Sequence, residues 1–174
     1  MKIQTLLLST FLLALALGAC SSMGPTGPSA TAKLEARSGS RVSGTVQFTQ
    51  HGDHVLVRAE ITGLAPGQEH GFHVHDKGDC SAPDGMSAAG HFNPSAKPHG
   101  PQDSAHHGGD MPALKADAYG KAVASFRLEG VTVADGANSV VGRSLIVHKD
   151  PDDYKTQPTG NSGARIACGL IVKA

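Results

Sequence analysis

Ten histidines in a chain of 174 residues are many, and their spacing is regular. In Gly71-Phe72-His73-Val74-His75 two of them stand two apart. On an extended strand that spacing puts both imidazoles on one face and Phe72 and Val74 on the other. The apolar pair can enter a core while two nitrogens converge on one ion. His91, His99 and His107 follow at intervals of eight, and Asp110 comes three residues later. Three imidazoles and a carboxylate satisfy a closed tetrahedral zinc site. His148 follows the apolar run Leu145-Ile146-Val147 at a predicted strand end. With His73 and His75 it makes three nitrogens, and nitrogen-rich ligation suits copper(II). A fourth would come from the intervening loop. His91 is the candidate, because a deprotonated imidazole has two nitrogens and can serve two metals. His51 and His54 flank a turn and read as ordinary surface residues.

The elements that must position these side chains read as all-β. Residues 40–49 and 54–62 alternate apolar and polar, are rich in β-branched types, and are joined by a turn at 50–53. Residues 113–118 and 121–128 flank Tyr119-Gly120 as a second hairpin, and 143–149 and 164–172 are further short strands. Apolar residues are not dense enough at helical spacing for a long helix. Short strands joined by glycine, proline and asparagine turns predict a sandwich or barrel. Residues 76–113 and 150–163 hold no convincing strand. Loops of that length in a compact domain are usually functional or disordered. The first holds four histidines among glycines and prolines, and its density of metal-ligand types predicts an ordered loop.

Residues 1–19 read as an export signal: Lys2 at the start, an apolar run from Ile3 to Leu17, then the small Gly18 and Ala19. That run is short for a bilayer span. Leu17-Gly18-Ala19-Cys20 is similar to a bacterial lipoprotein cleavage site, which predicts a lipid on Cys20, attachment to a membrane, and a place in the periplasm or cell envelope. Residues 20–32, small, polar and punctuated by proline, read as a flexible tether, and 33–174 as one domain. Without residues 1–19 the chain has 14 basic and 15 acidic side chains. There is no basic excess to neutralise phosphates, so nucleic acid is excluded as a partner. Cys80 and Cys168 remain as a pair for an oxidising compartment. A bridge between them would close 88 residues, worth roughly 4–5 kcal/mol by chain entropy.

The stretches GFHVHDKGDCSAPDGMSAAGHFNP (71–94), HHGGD (106–110), GRSLIVH (142–148) and GNSGARIACG (160–169) resemble the Cu,Zn superoxide dismutases, in order, over about residues 33–172. The resemblance implies a flattened eight-stranded Greek-key β-barrel with two long functional loops. Carried over by position, His73, His75, His91 and His148 match copper ligands, and His91, His99, His107 and Asp110 match zinc ligands. Asp152 matches an aspartate bonded to ligands of both metals, such as fixes ring orientation. Cys80 and Cys168 match a disulfide. His70 matches a histidine packed under the copper site. His106 would replace His107 if the loop shifted by one, and the register His107-Gly108-Gly109-Asp110 favours His107. Arg165 falls where the family keeps an arginine over the copper, and Lys155 is a further candidate for guiding anions. The implied activity turns superoxide into dioxygen and hydrogen peroxide, protecting the envelope, with His91 and Arg165 as catalytic residues. Two departures stand out. The stretch from Asp153 to Gly160 is shorter than in animal members, and the chain ends soon after the last strand. The animal dimer is therefore not implied, and monomer and homodimer both stay open. The rival readings are a metal-binding lipoprotein without turnover and an adhesive β-sandwich. A buffer needs no bridging histidine together with an anion-facing arginine, and an adhesin needs no clustered histidines.

Overall fold

The structure, a computed structural model, describes residues 27–174. The export signal, Cys20 and the first part of the tether lie outside those residues. Nine strands are described: β1 (Ser29–Ala36), β2 (Ser43–His51), β3 (His54–Thr62), β4 (Glu69–His70), β5 (Phe72–His75), β6 (Leu114–Lys115), β7 (Ala122–Glu129), β8 (Ser144–His148) and β9 (Arg165–Lys173). Seven form one sheet in the order β5-β8-β9-β1-β2-β3-β7, and β4 pairs with β6. Every pairing is antiparallel. Only Gly71 separates β4 from β5, so the two are one interrupted strand, and β6 lies against β7. The sheet therefore curls round on itself with eight strands, as expected. The pairings β1 with β9, β3 with β7 and β5 with β8 are the crossovers of Greek-key winding.

Period-two alternation explains the core. On β3, Val55, Val57, Ala59 and Ile61 are buried while Arg58 and Glu60 are exposed. Val46 and Phe48 of β2, Ala30, Ala32 and Leu34 of β1, and Leu128 of β7 join them inside. Each large side chain buried this way stabilises by roughly 1.5–3 kcal/mol. Two elements differ from the sequence reading. β1 covers Ser29–Ala36, where the sequence predicts no strand and a tether as far as residue 32, because small alanines make a weak hydrophobic signal. The strand expected over 113–118 shrinks to Leu114–Lys115. Asp117 Oδ1 accepts the backbone N–H groups of Tyr119 and Lys121 at 2.8 and 2.9 Å, and that local turn ends the ladder.

Candidate metal centre

β5 ends the seven-stranded sheet. One side pairs with β8, placing His73 opposite Ile146 and His75 opposite Ser144. The other side receives the long loop. Val74 N–H donates to Gly109 O at 2.9 Å, Phe92 N–H to Val74 O at 2.8 Å, and Gly109 N–H to Phe92 O at 2.8 Å. The loop backbone thereby supplies the partners an edge strand lacks. A side chain does not fit at Gly109: a Cβ there would strike the Val74 carbonyl and stand 3.1 Å from Phe92 backbone atoms. The same docking pairs His91 with His75 and Asp110 with His73. Both faces of β5 are consequently buried, one by the barrel core and one by the loop. On β8 the register shifts between Val147 and His148, and His148 N–H turns to Gly71 O at 2.8 Å.

These constraints assemble two groups. His73, His75, His91 and His148 form the first; His91, His99, His107 and Asp110 form the second. Within each group the ligand atoms lie within 4.8 Å of one another, and every member is buried. His91 belongs to both. Its Nδ1 is 2.8 Å from Asp110 Oδ1 and 3.4 Å from His107 Nδ1, while its Nε2 is buried with no hydrogen-bond partner. The two nitrogens of one ring thus face different groups.

The tautomers are set from outside. Asp152 Oδ2 accepts from His73 Nε2–H at 2.7 Å, and its Oδ1 accepts from His99 Nε2–H at 2.9 Å. That turns the Nδ1 of each ring inward, and both Nδ1 atoms are buried without a hydrogen-bond partner. His75 Nδ1–H donates to Ala89 O at 2.9 Å and His148 Nδ1–H to Gly163 O at 3.3 Å. Each of those rings then presents a bare Nε2, and the two atoms stand 3.4 Å apart. Lone pairs held that close in a buried space repel unless a cation lies among them. The donor set fits: four nitrogens in the first group suit copper, and three nitrogens with a carboxylate suit zinc. Gly160, at φ 66°, leaves the room Asp152 needs; a Cβ there would run into its carboxylate and come 2.6 Å from His99 Nε2.

Electrostatics agrees. Burial pushes His73 down to about 4 and pushes His75 and His148 well below the usual histidine range. These three rings are thus kept neutral, as metal ligation requires. Burial opposes the charge of Asp110, but hydrogen bonds from His91 and His99 outweigh it and hold the carboxyl far below its ordinary value. Asp152 is likewise held low by His73 and His99 against its own burial. Burial disfavours charge on His99 too, yet Asp110 and Asp152 push it up to about 9. His99 Nδ1 stands 3.0 Å from Asp110 Oδ2, and the two atoms face the same space in the second group.

Arg165 opens β9. Its Nη1 donates to Gly85 O at 2.8 Å and its Nη2 to Ala89 O at 2.6 Å. The Ala89 carbonyl therefore serves both Arg165 and His75. Cys80 and Cys168 are bridged, with Cα atoms 5.8 Å apart, which ties the loop to β9. Arg165 and His148 line one open pocket with Ser38, Asp84 and Met86, and this is the way in to the first group. Lys155 is exposed and does not line it. His107 joins the second group, whereas His106 donates to His107 O at 2.6 Å and lines a separate surface pocket. His70 is buried with Nδ1 2.9 Å from His148 O and belongs to neither group. His51 and His54 stack across the β2–β3 hairpin at 5.9 Å, outside both.

Two supporting arginines escaped the sequence reading. Arg37 donates to Cys80 O at 3.0 and 2.7 Å. Arg143 lies 3.5 Å over the Phe92 ring and donates to Asp76 O at 2.7 Å. Arg37 lies outside every quoted motif and Arg143 lies in GRSLIVH without being a ligand type, so only the folded contacts reveal their roles.

A profile of the copper/zinc superoxide dismutase family matches residues 42–171. A Cu-Zn superoxide dismutase of Aquifex aeolicus is 38% identical over 135 residues, spanning 75% of this chain and 79% of that protein. One from Paramecium bursaria Chlorella virus 1 is 41% identical over 160 residues, spanning 87% and 82%. Among solved structures, a double mutant of a SOD-like protein from Bacillus subtilis superposes with a TM-score of 0.74 at 37% identity, covering 82% of this chain and 96% of that one.

Proposed function

The chain belongs to the copper/zinc superoxide dismutase family, and on that premise we propose how its own residues divide the work. The reaction is the dismutation of superoxide, and the metals are copper and zinc. His73, His75, His91 and His148 hold copper; His91, His99, His107 and Asp110 hold zinc. Bound copper supplies the one-electron oxidation and reduction that turn two superoxide anions and two protons into dioxygen and hydrogen peroxide. Asp152 orients a ring in each site at once. Arg165 keeps its charge at working pH and offers a planar fork to a small anion arriving through the pocket it shares with His148. When not engaged with copper, His91 Nε2 would take a proton and pass it to the departing peroxide, while Nδ1 stays turned toward Asp110. Attachment through a lipid on Cys20, a place in the cell envelope, and protection of that envelope are supported by residues 1–20 alone.

The observation that carries the assignment is the double-facing ring of His91, with Nδ1 toward Asp110 and Nε2 unpartnered in the other group. The test is metal content and steady-state dismutation of the wild type and His148→Ala. The wild type should carry one copper and one zinc and turn over. His148→Ala should lose dismutation and copper while keeping zinc, because His148 serves only the first group. Equal loss of both metals would overturn the division of ligands, and full metal without turnover would overturn the enzyme reading.

A further inference from the structure

The loop segment that clamps Arg165 between Gly85 and Ala89 also carries Met86, first residue of a single turn of 3₁₀ helix, Met86–Ala88. Met86 is 60% exposed, whereas Met111, the other methionine among the described residues, is 1% exposed. Met86 N–H is held by Asp84 Oδ1 at 3.0 Å, so the residue is fixed in place. Its side chain lines the pocket that also holds His148 and Arg165. The other sulfur atoms of the described residues are withdrawn, Met111 by burial and Cys80 and Cys168 by their bridge. An exposed thioether therefore stands in the pocket that His148 of the first group also lines. Hydrogen peroxide, a thioether oxidant, is formed behind that pocket and leaves through it.

We propose that Met86 is a product-oxidised site: departing peroxide converts its thioether to the sulfoxide, and the sulfoxide damps superoxide entry until it is reduced again. The inference rests on the dismutation reading. The step balances. A sulfur lone pair attacks one peroxide oxygen, the O–O bond breaks, and a sulfur–oxygen bond forms. The other oxygen leaves as water with both protons; sulfur gives up two electrons and peroxide takes them. The change turns a flexible apolar side chain into a polar one with a strong acceptor oxygen. That oxygen carries partial negative charge and stands beside Asp84 in a mouth lined by one guanidinium, two of whose N–H groups are given to carbonyls. The positive potential that draws an anion is lowered. The return step, by a methionine sulfoxide reductase and a thiol reductant, makes the damping reversible.

The test uses the metal-loaded wild type and Met86→Leu in two arms, one under a steady flux of superoxide and one with added hydrogen peroxide. Metal-free wild type under the same flux is the comparison. Peptide masses report oxidation at Met86 and Met111, and each protein's dismutation rate is compared with its own starting rate, before and after treatment with the reductase. Met86 should gain one oxygen in both arms, faster in the metal-loaded than in the metal-free protein, and Met111 none. The wild type should lose activity that the reductase restores, and Met86→Leu should escape that loss. No oxidation of Met86 in either arm overturns the proposal, as does equal, irreversible loss in both proteins. Oxidation by added peroxide with no advantage for the metal-loaded protein under flux overturns oxidation by the enzyme's own product, whereas a metal-loaded wild type that does not dismute superoxide overturns the reading beneath it.

Discussion

Ala89 sits at φ 62° and ψ −148°, a backbone conformation that residues with a Cβ rarely adopt and that costs on the order of 1–3 kcal/mol. What holds it there is the meeting of His75 and Arg165 on its carbonyl. Ala89→Gly should keep that meeting and release the strain. Thermal unfolding should show a gain of about 1 kcal/mol after the extra entropy of glycine in the unfolded chain, with dismutation retained. A less stable protein would show that the Ala89 methyl is packed rather than strained. Arg165 is tested by a graded series. Arg165→Lys keeps a point charge and loses the fork, so activity should fall in part. Arg165→Ala should lose about one order of magnitude or more, since a charged hydrogen bond is worth roughly 1.5–3 kcal/mol. Arg165→Glu should be slowest, because it repels the anion. Steady-state rates at low and high salt, with metal content checked as constant, measure the series; equal rates across it would remove Arg165 from the reaction.

At the scale of elements, the site depends on a loop that completes a sheet edge. Gly109→Ala pushes a methyl into the Val74 carbonyl and the Phe92 backbone. The loop should lift, and with it His91 and Asp110. Loss of zinc to a chelator should quicken well before the barrel itself unfolds. If zinc retention matches the wild type, the backbone docking is not what holds the ligands. This element also marks how far the sequence could be read. The ligands were legible because strand period and metal-ligand types are side-chain properties: His73 and His75 two apart, then histidines at intervals of eight before Asp110. The docking of 91–92 and 109–110 on β5 is made of backbone hydrogen bonds, which leave only glycines as a trace. β1 leaves no strand signal for a related reason, since Ala30 and Ala32 are buried but too small to announce a strand. Ala89 carries its role in a carbonyl, and no residue type signals that.

For the whole molecule, the buried histidines set a pH profile in the metal-free protein. His73 is pushed down to about 4 by burial, and His75 and His148 are depressed by the same cause, from the ordinary histidine value of 6.5. As pH falls below 6.5 the unfolded chain takes up protons that the folded one refuses, so stability falls on the acid side. Asp110 and Asp152, held low, add the same sign as pH drops through the carboxylate range. His99, pushed up to about 9, has the opposite sign: its contribution is full below 6.5 and is lost as pH rises to 9. Urea midpoints of the metal-free protein should therefore peak near 6.5, and zinc, by replacing the His99 proton, should flatten the alkaline limb. A midpoint that climbs steadily from 6.5 to 9 would contradict the paired carboxylates. Cys20→Ala should release an active enzyme into the soluble fraction, since the barrel begins only at Ser29; a wild type recovered soluble with no lipid mass on Cys20 would remove the anchor. β9 has one further consequence. It starts at Arg165 and ends at Lys173, which lies opposite Ala30 of β1, so roughly 26 Å of strand, at about 3.3 Å per residue, separates the anion's doorway from the point where the leading segment enters. The barrel has a front and a back. A surface or partner held close to Ser29 would meet the back of the barrel and leave the doorway clear.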